Sequence, residues 1–535
     1  MPNKRENSAS YLRNLWLALS SRRTLAVTLL SFSSGLPLGL VWIAIPDWMR
    51  DSGFDIRVVG LTTLVHAPWT FKMVWSPLMD RFRIPWLGRR RGWIAIAQIA
   101  LSILTLALAG VGQTPDGPWI ILALALAIAF ASASQDIVID AYAVDVLKRE
   151  EHGVAVGART AIYRAAMFAA GGLAITMASW ISWPVVNIIL GLLYIPMLWV
   201  TWAAPKSEQL LPSPASLREA VWHPFLGFLG RHRALEILAF VIFYKLADQL
   251  AQSLQRPFLI DMGYSAFDRG VALATVGLVL TIVGTFLGGA LSTVIGLGHS
   301  LWIFGCLQIF SNVGYIMLAQ SEVNRPLMYG ALSFETFTTG LGMGAFGVLL
   351  LRMTQKRFSA TQYALFSSLF GLPRLIAGPV TGFSVHAASE WTGSLSGGWT
   401  AFFCFTMIAG IPGMLLLARF VPLGTREPGF VVGTPRYREP LSGASLAVRG
   451  MAGGLLAAAL ALLVSAAMIA LEAAVTGARF ELVRPLLSIL YPEKIWQLLV
   501  LCGSLLFGAV CGLLTAAVFA VRHGAAAGIV EDEER

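Results

Sequence analysis

The stretch LVHAPWTFKMVWSPLMDRFRIPWLGRRRGW, Leu64 to Trp93, decides how the rest of the chain is read. An apolar run interrupted by Lys72 ends at Asp80 and Arg81, a short turn follows, and three arginines open a second apolar run. Runs of roughly 20 apolar residues cross ~30 Å of hydrocarbon at ~1.5 Å per residue. The stretch therefore predicts two membrane helices joined by a short basic loop. Lys72 then lies eight residues inside Asp80, ~12 Å deep at helical rise.

The pattern repeats along the 535 residues. They are 56% hydrophobic and 13% charged, with mean hydropathy +0.71, whereas soluble domains carry about 25% charged residues. The expected fold is an all-α polytopic membrane protein with fourteen spans. These are 24–45, 58–79, 92–113, 118–144, 154–178, 183–204, 234–255, 267–291, 299–320, 326–351, 359–386, 398–420, 450–473 and 495–521. The organisation expected is a tail 1–23, a six-helix bundle 24–204, a linker 205–233, a second six-helix bundle 234–420, a linker 421–449, two additional helices 450–521 and a tail 522–535. Residues 1–23 read as a cytoplasmic tail with an interfacial helix around Leu12 to Leu19, not a signal peptide.

A net charge of +10 would suggest nucleic acid in a soluble protein. Here 26 of the 39 Lys and Arg fall in the tails and loops on one side and 8 on the other. Positive-inside topology accounts for this and places both termini in the cytoplasm. Cys306, Cys404, Cys502 and Cys511 lie in apolar runs without metal-ligand spacing and read as core thiols. No metal, cofactor or nucleic acid is expected, and the expected state is a monomer in the lipid bilayer.

Two six-helix sets about an axis along the membrane normal are a major-facilitator layout. An echo at an offset of 210 residues fits it: Arg164 in YRAAMFAAGG and Arg374 in PRLIAGPVTG each stand eight residues before a glycine.

Charges inside spans are costly and usually pair or line an aqueous cavity. They are Lys72, Asp136, Asp140, Arg159, Arg164, Lys245, Asp248, Glu335 and Arg374. Asp136 and Asp140 in SQDIVIDAY share a helical face. Asp136, ~13 Å inside Asp145 at helical rise, matches the depth of Lys72. Their pairing reads as a structural tie or as a proton-tuned cytoplasmic latch. Glu335, near mid-membrane, is the first candidate for proton coupling, with Asp136 and Asp248 beside it; hydrogen bonding to Thr338, Thr339 or another helix is the alternative. Lys245 and Asp248 either neutralise each other or, with Tyr244 and Gln249, face a polar solute. The glycines of SFSSGLPLGL and TTGLGMGAF allow close helix approach or a discontinuous-helix site.

The loop after Asp80 resembles that between helices two and three of major facilitators. With PWTFKMVWSPLMDR, SQDIVIDAY, FYKLADQL, FETFTTGLGMGAF and FSATQYALFSSLFGLPR, the chain more closely resembles the AmpG-type muropeptide permeases and the related acetyl-coenzyme A transporters. The resemblance implies twelve core helices and alternating access in the bacterial inner membrane. It also implies proton-driven import of GlcNAc-anhydroMurNAc muropeptides for cell-wall recycling and linked β-lactamase induction. It makes Asp80, Arg81, Gly88, Arg89, Arg90 and Arg91 an inward-side gate, joined by Lys72 and Asp140, and puts Gln135 and Asp136 at family-like positions. Thr336 follows Glu335 where the family looks like Glu-Asn, and Pro373 precedes Arg374.

The substrate cavity expected from these readings contains Trp42, Gln135, Arg164, Tyr244, Lys245, Asp248, Gln249, Thr338, Thr339 and Arg374. A muropeptide needs amide and hydroxyl partners and aromatic platforms. An acetyl-coenzyme A or other anionic-metabolite carrier needs excess Lys and Arg. Asp136, Asp140 and Asp145 also permit a UbiA-like prenyltransferase, which needs a second acidic cluster to hold magnesium. A scaffold that has lost transport would tolerate Glu335→Gln.

Overall fold

The computed structural model describes residues 20–54, 61–111, 117–206, 213–430, 433, 439–475, 479–526 and 529, without the side chains of 61, 63, 64, 274, 372–383, 386, 472, 475, 495, 496 and 499. The helix expected around Leu12 to Leu19 and the Arg374 side chain lie outside the described residues.

Helices follow one another through the chain, with no named strand among the described residues. They are α1 (Arg22–Asp51), α2 (residues 61–81), α3 (Arg89–Ala109), α4 (Gly117–Val146), α5 (His152–Ala178) and α6 (Trp183–Ala203). The short α7 (Leu217–Leu229) precedes α8 (residues 234–261), α9 (Ala266–Val294), α10 (Leu297–Gln320), α11 (Arg325–Met353), α12 (Ser359–Thr392) and α13 (Leu395–Phe420). Last come α14 (Gly443–Val475), α15 (Val483–Leu490) and α16 (Ile495–Arg522). Among the described residues eleven helices are long and apolar enough to span a bilayer. The other three of the fourteen expected spans fall on α2, α8 and α12. Large apolar side chains left exposed at helical spacing, such as Ile96, Ile99 and Ile103 on α3, give the outer faces lipid character. Cys306, Cys404 and Cys502 are exposed as well, so these three are not core thiols.

The chain divides into two compact units. The larger comprises Met1–Ala220 with Glu236–Gly429, and thus nearly all of the two six-helix sets. The smaller comprises Val221–Leu235 with Phe430–Arg535. Inside the smaller unit, Gly450 and Gly454 of α14 meet Gly512 and Gly508 of α16 at backbone distance. That is the small-residue packing by which membrane helices associate where apolar burial supplies no driving force.

Small residues also decide the packing of the larger unit. The glycines of SFSSGLPLGL serve close approach: a Cβ at Gly35 or Gly39 would collide with the carbonyl oxygens of Tyr163 or Met167 on α5. Gly340 and Gly344 do the same for α11 against α9. Neither α1 nor α11 is discontinuous, which corrects the expectation of a broken-helix site. Pro37 lies inside α1, and a π-helical turn, Leu40–Ala44, follows without unwinding it. The helices interrupted among the described residues are α2, where Pro68 and Pro77 start new helical segments, α6, which breaks at Leu193, and α8, which breaks at Lys245 and again at Leu254. Gly39→Val is expected to cost about 1–3 kcal/mol through overpacking, read as a lower thermal midpoint in detergent.

Candidate functional site

The two halves of the larger unit are tied at the end that carries the arginine-rich loop. Asp80, at the end of α2, is fully buried. Its Oδ1 accepts from Arg90 Nη2 at 2.7 Å and from the Ala360 N–H at 3.3 Å. Its Oδ2 accepts from the Thr361 N–H at 2.8 Å and Thr361 Oγ1 at 2.7 Å. Asp80 therefore sits at the N-terminus of α12, where free N–H groups and the helix dipole favour an anion. Arg90 also donates to Asp145 Oδ2 at 2.9 Å and Ser359 Oγ at 2.7 Å. Ser359 in turn donates to Asp145 Oδ1 at 2.6 Å. Arg89 reaches Asp145 at 3.3 Å and the Lys356 carbonyl at 3.5 Å. Burying these ions is costly unless their lone pairs and protons are satisfied, and both oxygens of Asp80 are.

Two of the expected gate residues are elsewhere. Arg91 donates to the carbonyls of Trp202 and Ala204, closing the C-terminus of α6. Arg81 lies over the Phe82 ring at 5.8 Å. The residues that complete the tie, Ser359, Ala360, Thr361 and Asp145, were not assigned to a gate from the sequence. A Ser and a Thr opening a helix just after Lys356 and Arg357 were the available signal.

Further into the first half, Lys72 pairs with Asp140 at 3.7 Å, and Arg159 of α5 pairs with the other Asp140 oxygen. Arg159 also stands against Tyr363 of α12. Asp136 instead accepts from Ser34 Oγ on α1. The expected Lys72–Asp136 pair is thus displaced by one turn. Depth counted at Cα misses the length of a lysine, whose stem carries its charge toward the interface. Gln135 is not a cavity residue: it is completely buried and donates to Ser33 Oγ at 2.5 Å. Ser33 accepts from Gln98 as well, at 3.1 Å, so the group binds α1, α3 and α4 together.

In the second half, Lys245 Nζ donates to Asp248 Oδ2 at 2.8 Å and Gln308 Oε1 at 2.5 Å, with the Thr339 carbonyl at 3.5 Å. Gln308 reaches Lys245 only because residue 342 is glycine; a Cβ there would occupy the position of its amide. Lys245 is 1% exposed and Asp248 5%, a buried, self-neutralised pair. Tyr244 is buried, stacks on Phe346 at 5.8 Å and donates to the Leu301 carbonyl at 2.9 Å. Thr338 is buried and bonds its own helix at the Glu335 carbonyl. Both belong to the core, while Gln249 and Thr339 remain partly exposed.

Glu335 sits in a shell of neutral donors. Gln252 and Thr339 reach Oε1 at 3.2 Å each. Tyr315, Thr336 and Gln255 reach Oε2 at 3.2, 3.3 and 3.4 Å. No ion pair to Glu335 occurs among the described residues.

Trp42 of α1 is partly exposed and clusters with His66 at 4.8 Å and Trp69 at 5.9 Å. The cluster lies in the half of the membrane away from the arginine-rich loop. Arg164, half-buried on α5, has no hydrogen bond or ion pair among the described residues.

Asp136, Asp140 and Asp145 answer to three different sets of partners. They do not converge as a diphosphate–magnesium site requires, and no cluster of three metal-ligating side chains occurs among the described residues.

Residues 27–378 match the Major Facilitator Superfamily. The chain is 39% identical over 414 residues to the anhydromuropeptide permease of Escherichia coli K12, covering 77% of this chain and 81% of that one. It is 29% identical to a putative AmpG transporter of Rickettsia felis, over 74% of this chain and 95% of the relative. Among solved structures, a human organic anion transporter aligns with TM-score 0.51 at 12% identity, over 73% of this chain and 99% of that one. A bacterial homologue of the iron transporter ferroportin gives TM-score 0.51 at 13% identity, over 74% and 98%. At such identities these two speak for the fold alone. The relatives are permeases and transporters, not enzymes, and with the helical architecture they make this a multi-pass membrane transporter. The chain belongs to the AmpG-type permeases of the major facilitator superfamily.

Proposed function

We propose that the protein is a proton-coupled importer of peptidoglycan fragments, the GlcNAc-anhydroMurNAc muropeptides, in the bacterial inner membrane. Both termini are cytoplasmic, the arginine-rich loop faces the cytoplasm, and the halves alternate access around a central cavity. In the cell this import feeds cell-wall recycling and, through the fragments delivered, β-lactamase induction.

The observation that carries the reading is the Asp80–Thr361 tie, within a chain so similar to an anhydromuropeptide permease. A buried anion on the N-terminus of a helix from the other half is a contact that opening at that end must break. Its presence fits an outward-facing state with the cytoplasmic side shut. The scarcity of uncommitted interior cations also favours a muropeptide over a polyphosphate carrier's substrate. Lys245 is already neutralised by Asp248, so among the described residues Arg164 is the remaining uncommitted interior cation.

The test is uptake of labelled anhydromuropeptide by proteoliposomes under an inwardly directed pH gradient, with a protonophore stopping accumulation. Acetyl-coenzyme A uptake without muropeptide uptake would overturn the substrate.

Asp136 belongs to the latch in this reading. It stands one turn from the Lys72–Asp140–Arg159 group, on the helix that carries the gate residue Asp145. Asp136→Asn is expected to change the balance of inward- and outward-open states about tenfold, equivalent to about 1.4 kcal/mol, and to leave substrate affinity within about twofold. Distances between spin labels on the two halves read the first and equilibrium binding the second. A change confined to affinity would move Asp136 into the substrate site.

A further inference from the structure

Of the charged residues that the sequence places inside the larger unit's spans, Arg164 alone is without a partner among those described; Glu236, near the start of α8, also leaves a buried carboxylate oxygen without a hydrogen bond. Asp140 holds Lys72 and Arg159, Asp136 is held by Ser34, Lys245 and Asp248 pair, and Glu335 has its donors. Arg164 has neither a hydrogen bond nor an ion pair. It lies twelve residues from the start of α5, ~18 Å along the helix and near the bilayer centre. An ionised side chain at that depth marks a ligand or ion pathway by default.

The helix settles what Arg164 faces. Residues 153, 157, 160 and 164 share one side of α5. Gly153 and Gly157 on that side pack against Gly289 and Phe286 of α9, across the boundary between the halves. Because α5 and α9 run antiparallel, the α9 stretch level with Arg164 is about 276–282, VGLVLTI, without an acidic or amide side chain. The guanidinium therefore looks from the first half into the space between the halves, and α9 offers it no counter-charge.

The aromatic cluster supplies a second fixed point. Gly35 packs on Tyr163, so Arg164 is level with Gly35. Trp42, with His66 and Trp69, is seven residues further along α1, ~11 Å outward at helical rise. Partly exposed rings suit sugar faces, and a guanidinium fork suits a carboxylate held bidentately.

We propose that Arg164 binds a free carboxylate of the substrate's peptide stem while the disaccharide lies against the Trp42–His66–Trp69 rings, making Arg164 the determinant of selectivity for an anionic peptide. This assignment rests on the muropeptide reading above. It predicts that the substrate, not the protein, provides the counter-charge for the cation at mid-membrane, so the empty and loaded cavities differ by that charge.

The experiment measures the transport KM and maximal rate in proteoliposomes for two labelled probes. One is an anhydro-disaccharide with a tripeptide stem bearing free carboxylates; the other is the same molecule with the stem carboxylates amidated. Wild type is expected to favour the free-carboxylate probe by about tenfold or more in KM, the scale of one charge-assisted contact. Arg164→Gln should erase that preference, leaving equal KM values for the two probes, and Arg164→Lys should restore part of it. A preference that survives in Arg164→Gln overturns the assignment. Should that variant fail to insert, equal KM values for the two probes in wild type overturn it alone. Wild-type vesicles that take up neither probe overturn the muropeptide reading, and this assignment with it.

Discussion

Glu335→Gln is expected to leave exchange of substrate across the membrane intact and to abolish its accumulation against a gradient. Five neutral donors from Gln252, Gln255, Tyr315, Thr336 and Thr339 surround the carboxylate, and none is a cation. A carboxylate without a cationic partner, deep among apolar helices, has a proton as its available counter-charge. Glutamine imitates the protonated acid in shape and cannot release a proton. Each coupled proton supports about tenfold accumulation per unit of pH gradient; in the variant the ratio should fall to about one, while counterflow of labelled substrate persists. Accumulation that survives the change would show a structural carboxylate, and the proton-coupling role would pass from Glu335.

The second large effect is expected at Asp80. An asparagine there keeps the shape but turns one acceptor of two donors into a donor facing donors, and leaves Arg90 without its nearest anion. Breaking a buried pair of this kind costs about 3–5 kcal/mol. Because the loss falls on the state with the arginine-rich end closed, the population should move toward the opposite state by a factor of ~100 or more. Ala360 is fully buried beside Asp80. A single cysteine introduced by Ala360→Cys in a background without native cysteines should react with a water-soluble maleimide at least ~100-fold faster when Asp80→Asn is added. Equal rates would mean that the tie does not hold the end shut.

Much of the architecture was readable from apolar runs, because a bilayer imposes length and composition on whatever crosses it. The internal irregularities were less readable. Pro68 and Pro77 split α2, whereas Pro37 leaves α1 continuous, so the residue type alone does not tell which helix breaks. The site divided the same way. Asp80 and Arg90 could be picked out because they are near neighbours around one loop. Their partners on α12 could not, since nothing local joins residue 80 to residue 361. Lys245 and Asp248, three apart on one helix, were legible as a pair, but Gln308 was not. Its place depends on the missing side chain at Gly342, and a glycine in a membrane helix carries no label of the neighbour it admits. Gln135 and Tyr244 looked like cavity residues because they are polar in apolar helices; the fold uses both as internal hydrogen-bonding members of the core.

The contact between Gly153 and Gly289 has a mechanical meaning. It joins backbone to backbone across the boundary of the halves, with no side chain from either glycine interposed. Knobs set into holes would have to be withdrawn before one half could turn on the other. In the proposed alternating-access cycle this main-chain surface, flanked by Thr293 and Phe286, offers little to interlock, so resistance to rocking is expected to concentrate in the Asp80 tie rather than at the pivot. On the proposed cycle, stiffness would sit in a catch at Asp80 and freedom in a bearing at the glycine contact. A side chain added at the bearing would jam turnover even where the empty protein still folds.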